Sequence, residues 1–377
     1  MHEAGDTGRI TLFARVDSSL NPYTPLYKRA IEKQGLTVVW EREFGLRWFL
    51  LRSRHTAVVH LHWIESAYLP APRTPRSRLW RRMRRSRIVM TGLGGLALTN
   101  FLATLLLTRL AGKWIVYTAN DLDAHSELAW PFPWLRWCAQ RAVFRLAHRL
   151  HVHSCDARQT LHGLRGPRTE VRVIPVGNFV GSYPSEISRE RARRRLNLRD
   201  DERVYLFFGL LRPYKRVEEL IRAFEEMASP SARLLLVGKA YQADYAEHLE
   251  ALCAGKRGIT LMEKFIPDDE VQVFMRACDV CVFPYREATS SAAVMLALSF
   301  GRPVVAPSLG YFKDVIAVGT GILYDPTRPG ALASAMAEAG RRSWSESQIL
   351  GHAKRFDWEV LAPRLVRELY EKVAERA

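Results

Sequence analysis

The residues best suited to chemistry stand at 204–216, where the apolar run Val204-Tyr205-Leu206-Phe207-Phe208 leads into Gly209-Leu210-Leu211-Arg212-Pro213-Tyr214-Lys215-Arg216. A glycine closing a strand lets backbone come close to a ligand. A helix starting near Val217 would turn unpaired N–H groups and its positive dipole end toward an anion. Arg212 adds a planar fork that grips phosphate, and Lys215 adds a compact point charge. Together these residues predict a pyrophosphate site, against the plainer reading of solvated charges beside a turn.

Such a loop needs a sheet behind it. Short apolar runs alternate with longer helical patterns along the whole chain, the order expected of parallel sheets covered by helices. Strands are predicted at 10–13, 37–40, 58–62, 114–118, 149–153 and 171–174, then at 204–208, 233–237, 259–262, 280–283 and 303–306. Each half reads as its own Rossmann-like unit. The turn-forming stretch Gly177-Asn178-Phe179-Val180-Gly181-Ser182-Tyr183-Pro184 separates the halves and places the boundary near residue 180. The expected domains are 1–180 and 181–358, followed by a last helical segment, 359–377. Ligands of such folds bind beyond the carboxyl ends of the strands, so two facing units predict an interdomain cleft.

With 377 residues, 48% of them hydrophobic and 25% charged, the chain has material for two cores and no low-complexity tract. Lysine and arginine exceed aspartate and glutamate by 56 to 39, a net charge of +17, which points to an anionic partner. Part of that excess is local, because Arg73, Arg76, Arg78, Arg81, Arg82, Arg84, Arg85 and Arg87 fall within 15 residues. Directly after them, residues 88–108 carry no charge, long enough for a membrane span. Three readings stand: a span, a buried Rossmann helix, or an interfacial segment docked on anionic headgroups, in which apolar and polybasic signals cooperate. Against a span, the same sheet must resume at Trp114.

Five cysteines without an even, closely spaced framework favour a reduced, cytosolic compartment. Cys278 and Cys281 have CxxC spacing inside an apolar run, with no second pair nearby, and are read as buried thiols in preference to a metal or redox site. The N-terminus has no basic segment followed by an apolar one, so no signal peptide is expected.

The block around Gly209, Arg212 and Lys215 resembles the donor-binding loop of family 4 glycosyltransferases, in which a strand-end glycine precedes the arginine and lysine that hold a donor diphosphate. Further segments match in order. Leu234-Leu235-Leu236-Val237-Gly238 is similar to the next strand and its glycine, and Phe265-Ile266-Pro267-Asp268-Asp269-Glu270 to the loop against which the donor base lies. Phe283-Pro284-Tyr285-Arg286-Glu287 through Ala306-Pro307 resembles the acidic, sugar-binding loop and the helix after it. The resemblance covers the C-terminal half well and the N-terminal half more loosely. It implies a GT-B fold, α/β, with two Rossmann-like domains facing an interdomain cleft, a last helix (359–377) packing back toward the N-terminal domain, and a nucleotide-sugar (GDP- or UDP-sugar) as donor.

The family pattern has two glutamates eight residues apart, but here Leu296 stands at the second place and Glu287 is one position off the first. This variant is similar to the subgroup of bacterial enzymes that move mannose from GDP-mannose to a glycolipid. Glu287 can accept hydrogen bonds from two sugar hydroxyls, with Ser290 and Ser291 offering donors or serving as helix caps. In the N-terminal half, Val58-Val59-His60-Leu61-His62-Trp63-Ile64-Glu65 resembles the subgroup's corresponding strand and loop. His60 and His62 point to one face and are read as a packed pair in preference to metal ligands. Thr118-Ala119-Asn120-Asp121-Leu122-Asp123-Ala124-His125 follows another strand. Asp121-Leu122-Asp123 has the DxD shape of metal-binding transferases of another fold, whereas Asn120 and His125 fit the subgroup, and no metal or other cofactor is implied. Asn21 and Tyr23, after the first strand, are either turn residues or ligand contacts.

The implied reaction is attack of an acceptor hydroxyl on the anomeric carbon, with Arg212 and Lys215 stabilising the departing diphosphate. An inverting reaction needs a general base, for which His125, Asp121 and Glu65 are the candidates; a retaining one needs none. The expected acceptor is lipid-linked or a polysaccharide precursor, met by a peripheral protein at the cytoplasmic membrane face through residues 73–87 and the apolar segment after them. Two other classes remain: a nucleotide-sugar epimerase or glycan phosphorylase using the same cleft, and a basic nucleic-acid-binding protein. The arginine run lacks aromatics beyond Trp80, which disfavours nucleic acid as a partner.

Overall fold

The computed structural model describes residues 9–13, 22–68, 87–120, 133–166 and 169–371. The chain divides into two compact units, one of Met1–Pro175 with Trp358–Ala377 and one of Val176–Asp357.

In the first unit β1 (Arg9–Phe13), β2 (Val38–Glu41), β3 (Thr56–His62), β4 (Trp114–Thr118), β5 (Arg149–Val152) and β6 (Glu170–Val173) form one sheet in the order β2-β1-β3-β4-β5-β6. All its pairings are parallel. The second unit repeats the plan with β7 (Arg203–Phe208), β8 (Ala232–Val237), β9 (Ile259–Met262), β10 (Val280–Val282), β11 (Val304–Pro307) and β12 (Gly321–Tyr324), ordered β12-β11-β10-β7-β8-β9. The eleven strands anticipated from apolar runs are present. The twelfth, β12, is a short edge strand reading Gly-Ile-Leu-Tyr and mostly half-buried, so it carries no long apolar run of its own.

Both sheets are doubly wound, and the order reverses between β1 and β3 in the first unit and between β7 and β10 in the second. At such a reversal the connections of a doubly wound sheet go to opposite faces and leave a crevice at the carboxyl ends of the strands, where ligands of these sheets bind. Parallel strands covered on both faces explain the nearly continuous apolar runs of β3, β7 and β8.

The uncharged segment forms most of one 24-residue helix, Arg87–Leu110. By length and composition it could cross a membrane. Its inner stripe, Leu98, Phe101, Thr104, Leu105 and Thr108, is buried, and Phe101 and Leu105 join the core beneath the sheet. Strands β3 and β4 at either side of this connection are direct neighbours, paired from Val58–Trp114 to His62–Thr118. A crossing would put those hydrogen-bonded partners on opposite sides of a bilayer, so the helix covers one face of its own sheet. Its outward stripe is nonetheless apolar: Leu96, Leu106 and Leu110 are exposed where a helix of this kind ordinarily carries charges.

Neighbouring helices extend that surface. The Leu46–Arg52 helix runs beside it, with the Leu46 amide donating to Asn100 Oδ1 (3.0 Å) and Lys113 Nζ to the Ser53 carbonyl (2.6 Å). This helix exposes Leu50 and Leu51. On the other flank lies Pro133–Leu146, whose Leu135 touches Gly94 and which exposes Trp134 and Trp137.

The C-terminal helix, Trp358–Leu369, belongs to the first unit. Arg364 donates to the Val173 carbonyl, Trp114 Nε1 to the Leu369 carbonyl (3.1 Å), and Lys33 pairs with Glu359 at 2.7 Å. In the second unit the arginine-rich helix Arg189–Arg195 is anchored by the fully buried Arg193, which donates to Asp279 Oδ2 and to four backbone carbonyls around it. A cation without exposure is tolerable because each of its three nitrogens has an acceptor and a carboxylate balances the charge.

Candidate donor site

Strand β7 ends at Gly209, whose φ of +132° lies in the region that favours glycine. The neighbouring strand β8 ends at Gly238, φ +151°, where a Cβ would lie 1.9 Å from the Gly209 carbonyl oxygen. No side chain fits there, so the second glycine is required by contact with the first. Beyond them the ladder continues as a single bridge between Leu211 and Ala240, with the Leu211 amide donating to Lys239 O (2.9 Å) and the Tyr241 amide to Leu211 O (3.1 Å). The Ala240 amide donates to Glu263 Oε1 at 2.9 Å, which ties the same loop to the end of β9.

Arg212 precedes a 3-10 turn, Pro213–Lys215, which Pro213 preorganises through its fixed φ. Arg216, at φ +53°, then breaks the turn and the helix Val217–Glu226 begins. Folding the loop back drives Lys215 inward until only 8% of it is exposed. Its ammonium lies 5.1 Å from the Tyr285 ring centre and 5.8 Å from that of Phe207, a cation–π setting. A Cβ built on Gly209 would lie 3.4 Å from Lys215 Nζ and 3.8 Å from Ala293 Cβ. The strand end, the buried ammonium and the start of the helix Ala292–Ser299 therefore converge at one spot. Ser291 caps that helix, accepting from the Val294 amide at 3.3 Å.

Arg212 takes a different position. Its guanidinium carbon sits 4.4 Å over the Tyr241 ring, and its Nε is buried without a hydrogen-bond partner. Glu287 lies on the loop after β10, its side chain about one-third exposed and one oxygen 3.7 Å from Arg286 Nη2. This loop is held to the first by the Arg286 amide donating to Tyr214 O (2.9 Å). Its other end is pinned where the Tyr311 amide donates to Ala288 O (2.9 Å). After β9, Phe265 is half exposed, whereas Ile266 is buried and has only backbone to offer a ligand.

The crevice at the β7/β10 reversal thus collects Gly209, Gly238, Lys215 and Ser291 by direct geometry. Arg212, Ser290 and Glu287 lie on the loops around it. Its equipment is two cations, a helix start and one carboxylate, suited to a diphosphate with a hydroxylated group attached. Tyr285 and Tyr241, the rings that position the two cations, were not singled out from sequence. Isolated tyrosines carry no spacing signal, and only the folded loop shows what they face.

In the first unit Glu65 opens the short helix Glu65–Tyr68 and is half-buried. Burial first, and Glu65 second, raise the Tyr68 phenol above its ordinary value. Asp121 and His125, the other general-base candidates, lie outside the described residues, as do Asn21 and residues 73–86. His60 and His62 are buried side by side with ring centres 4.3 Å apart. Cys278 and Cys281 are buried thiols with sulfurs 3.8 Å apart, and among the described residues no group of three metal-ligating side chains occurs.

Residues 202–341 match the family model described as glycosyl transferases group 1. Over 330 residues the chain is 28% identical to the GDP-mannose:glycolipid 4-beta-D-mannosyltransferase of Xanthomonas campestris pv. campestris, covering 86% of this chain and 81% of that one. Among solved structures it is similar to the sucrose-phosphate synthase of Thermosynechococcus elongatus, with a TM-score of 0.70, 17% identity and 98% and 100% of the two chains covered. It is also similar to HepE of Anabaena in complex with UDP and glucose, with a TM-score of 0.68, 16% identity and 97% and 100% covered. Matched model, matched fold and cationic crevice agree: the chain carries a group 1 glycosyltransferase domain within a GT-B architecture and is a glycosyltransferase acting on a nucleotide-sugar.

Proposed function

We propose that the enzyme transfers a hexose, mannose in first place, from a GDP-sugar to a lipid-linked or polysaccharide-precursor acceptor at the cytoplasmic face of a membrane. The observation that carries the reading is the convergence of Gly209, Lys215 and the start of the Ala292–Ser299 helix, with Arg212 on the adjoining turn. Mannose and a glycolipid acceptor are the donor sugar and acceptor class named for the Xanthomonas relative.

In the reaction an acceptor oxygen forms a bond to the anomeric carbon while the bond from that carbon to the diphosphate breaks. Positive charge develops on the sugar and negative charge on the leaving phosphate. Lys215, already desolvated among aromatic rings, and Arg212, held over Tyr241, meet that negative charge without reorganising, so no metal cofactor is invoked. Glu287 accepts from hydroxyls of the transferred sugar. An inverting reaction would also hand the acceptor's proton to a base, for which Glu65, Asp121 and His125 are the candidates.

Support for a membrane face comes from the apolar outer stripe of the Arg87–Leu110 helix and the exposed Leu50, Leu51, Trp134 and Trp137 beside it. This surface directly follows the arginine-rich residues 73–87, whose charge suits anionic headgroups.

The test is the melting temperature of the purified protein with a panel of GDP- and UDP-sugars, beside ATP and NAD. GDP-mannose is expected to raise it in the wild type and not in Arg212→Ala. A rise with a UDP-sugar alone would replace the donor, and no rise with any nucleotide-sugar would remove the reading.

A further inference from the structure

Strand β3 carries two histidines two residues apart on one face, and the fold treats them in opposite ways. His60 is satisfied at both nitrogens: Nδ1 shares a hydrogen bond with the Tyr370 hydroxyl (2.5 Å) and Nε2 with Thr118 Oγ1 (2.7 Å). Thr118 continues the chain to His151 Nδ1 (2.9 Å), and His151 Nε2 donates to the Ile174 carbonyl (2.9 Å). His153 is likewise engaged, with Ile174 O and Asn120 Oδ1. Of these four buried histidines only His62 stands apart, 2% exposed, with neither ring nitrogen hydrogen-bonded. A packed pair explains His60 and leaves His62 unexplained, because a buried polar group without a partner is costly and rare.

Its place in the fold is not neutral either. His62 is the last residue of β3, and β1 and β3 flank the point where this sheet reverses its winding, the crevice where doubly wound sheets take ligands. The next residue, Trp63, is held at φ +46°, backbone that a bulky side chain rarely adopts and that clusters at ligand sites. Beside His62 stands the first turn of the Tyr23–Glu32 helix, with the Tyr23 ring 6.1 Å and the Tyr27 ring 5.6 Å from the imidazole. Between those tyrosines in sequence, Thr24 is fully buried and its hydroxyl also lacks a partner. Two unmet polar groups thus stand on neighbouring elements, one at the end of β3 and one in the first turn of the helix packed beside it, with the Tyr23 and half-buried Trp63 rings 6.1 Å apart.

We propose that His62 binds a sugar hydroxyl of the glycosyl acceptor, one ring nitrogen donating and the other accepting, with the Thr24 hydroxyl as its companion. A hydroxyl is the ligand group that offers both a proton and a lone pair, matching a neutral imidazole at both sides. Burial holds the ring neutral by lowering its pKa to about 3, so it offers an anion no positive charge, which favours an uncharged polyol over a phosphate. Both nitrogens are enclosed in this state, with the Trp63, Tyr23 and Tyr27 rings 5.5, 6.1 and 5.6 Å from the imidazole, so binding requires one of these rings to move. This inference rests on the proposed function in assigning the acceptor to the first unit, but its binding test does not need the donor.

The deciding experiment compares the wild type with His62→Phe, His62→Gln and Thr24→Val by saturation-transfer NMR, using methyl glycosides of mannose, glucose and galactose as probes. His62→Phe keeps the ring and removes both unpartnered nitrogens, so it should melt no lower than the wild type while its glycoside signal falls about five- to tenfold, the loss of one or two neutral hydrogen bonds. His62→Gln retains a donor and an acceptor and should recover part of the signal, and Thr24→Val should show a smaller loss. In sugar-transfer assays His62→Phe should raise the acceptor KM and leave the donor KM unchanged. No signal from any glycoside in the wild type, or equal signals in wild type and His62→Phe, would overturn the proposal. Should His62→Phe fail to fold, His62→Leu takes its place, and a glycoside signal equal to that of the wild type would overturn the proposal as well. If no nucleotide-sugar stabilises the protein, the donor reading fails separately, and the glycoside comparison still decides for His62.

Discussion

The two units share a sheet plan and differ in what stands at the reversal of strand order. In the second unit the crevice between β7 and β10 holds Lys215 and a helix start, with Arg212 beside them. In the first, the end of β3 carries a neutral imidazole and an indole, with four buried histidines, two on β3 and two at β5 and just beyond it. The same topology has been given fixed charge in one case and uncharged hydrogen-bonding groups in the other. That division matches a reaction in which one partner is a diphosphate and the other a hydroxyl.

The comparison is broken most severely at Gly238. A Cβ there meets the Gly209 carbonyl at 1.9 Å, so Gly238→Ala must shift both strand ends at a cost of roughly 1–3 kcal/mol or more. A lower melting temperature and loss of nucleotide-sugar stabilisation are expected together. If Lys215 meets the leaving diphosphate as proposed, Lys215→Ala removes that stabilising cation, and kcat should fall by about 10² or more. It should leave glycoside binding by the first unit untouched, which single-turnover and NMR measurements would check separately.

Acid should single out the first unit. Burial lowers the pKa of all four histidines, His62 to about 3 and His153 to about 4. The unfolded chain takes up protons below about pH 6.5 and the folded one does not, so stability is complete above that pH and is lost as pH falls toward 4 and 3. Each histidine contributes at most ~1.4 kcal/mol per pH unit. Hydrogen exchange across this range should therefore show protection falling first around β3 and β5. If the β7–β8 region opens first, the contrast drawn between the units is wrong.

A smaller effect should sharpen the contrast on the donor side. Tyr241→Leu removes the ring beneath Arg212, a contact worth about 0.5–2 kcal/mol, so donor affinity should weaken several-fold, while Tyr241→Phe keeps it. Titration with GDP-mannose would distinguish the two variants.

Much of this was readable before the fold was known. Gly209, Arg212 and Lys215 stand out in the sequence because a strand-end glycine and a following cation pair form a local pattern, whereas Gly238 was implied only by the family resemblance. The eleven expected strands appear because a parallel sheet buried on both faces demands unbroken apolar runs. Strand β12 escaped because an edge strand of four residues is released from that demand. The uncharged segment at 88–108 was left between three roles until the pairing of β3 with β4 showed it covering its own sheet.

What the sequence determined by itself was therefore what neighbouring residues impose on one another: the alternation of strand and helix, the two-unit plan, the glycine-bearing loop with its cation pair and the local excess of arginine. The tertiary structure alone decided which polar groups find partners. His60 and His62 are chemically identical and alternate on one strand, yet Tyr370, 310 residues away, reaches the first and nothing reaches the second. Lys215 likewise owes its desolvation to Tyr285, on a different strand's loop. Hydrogen bonding and desolvation depend on distances across the fold, which spacing along the chain does not encode.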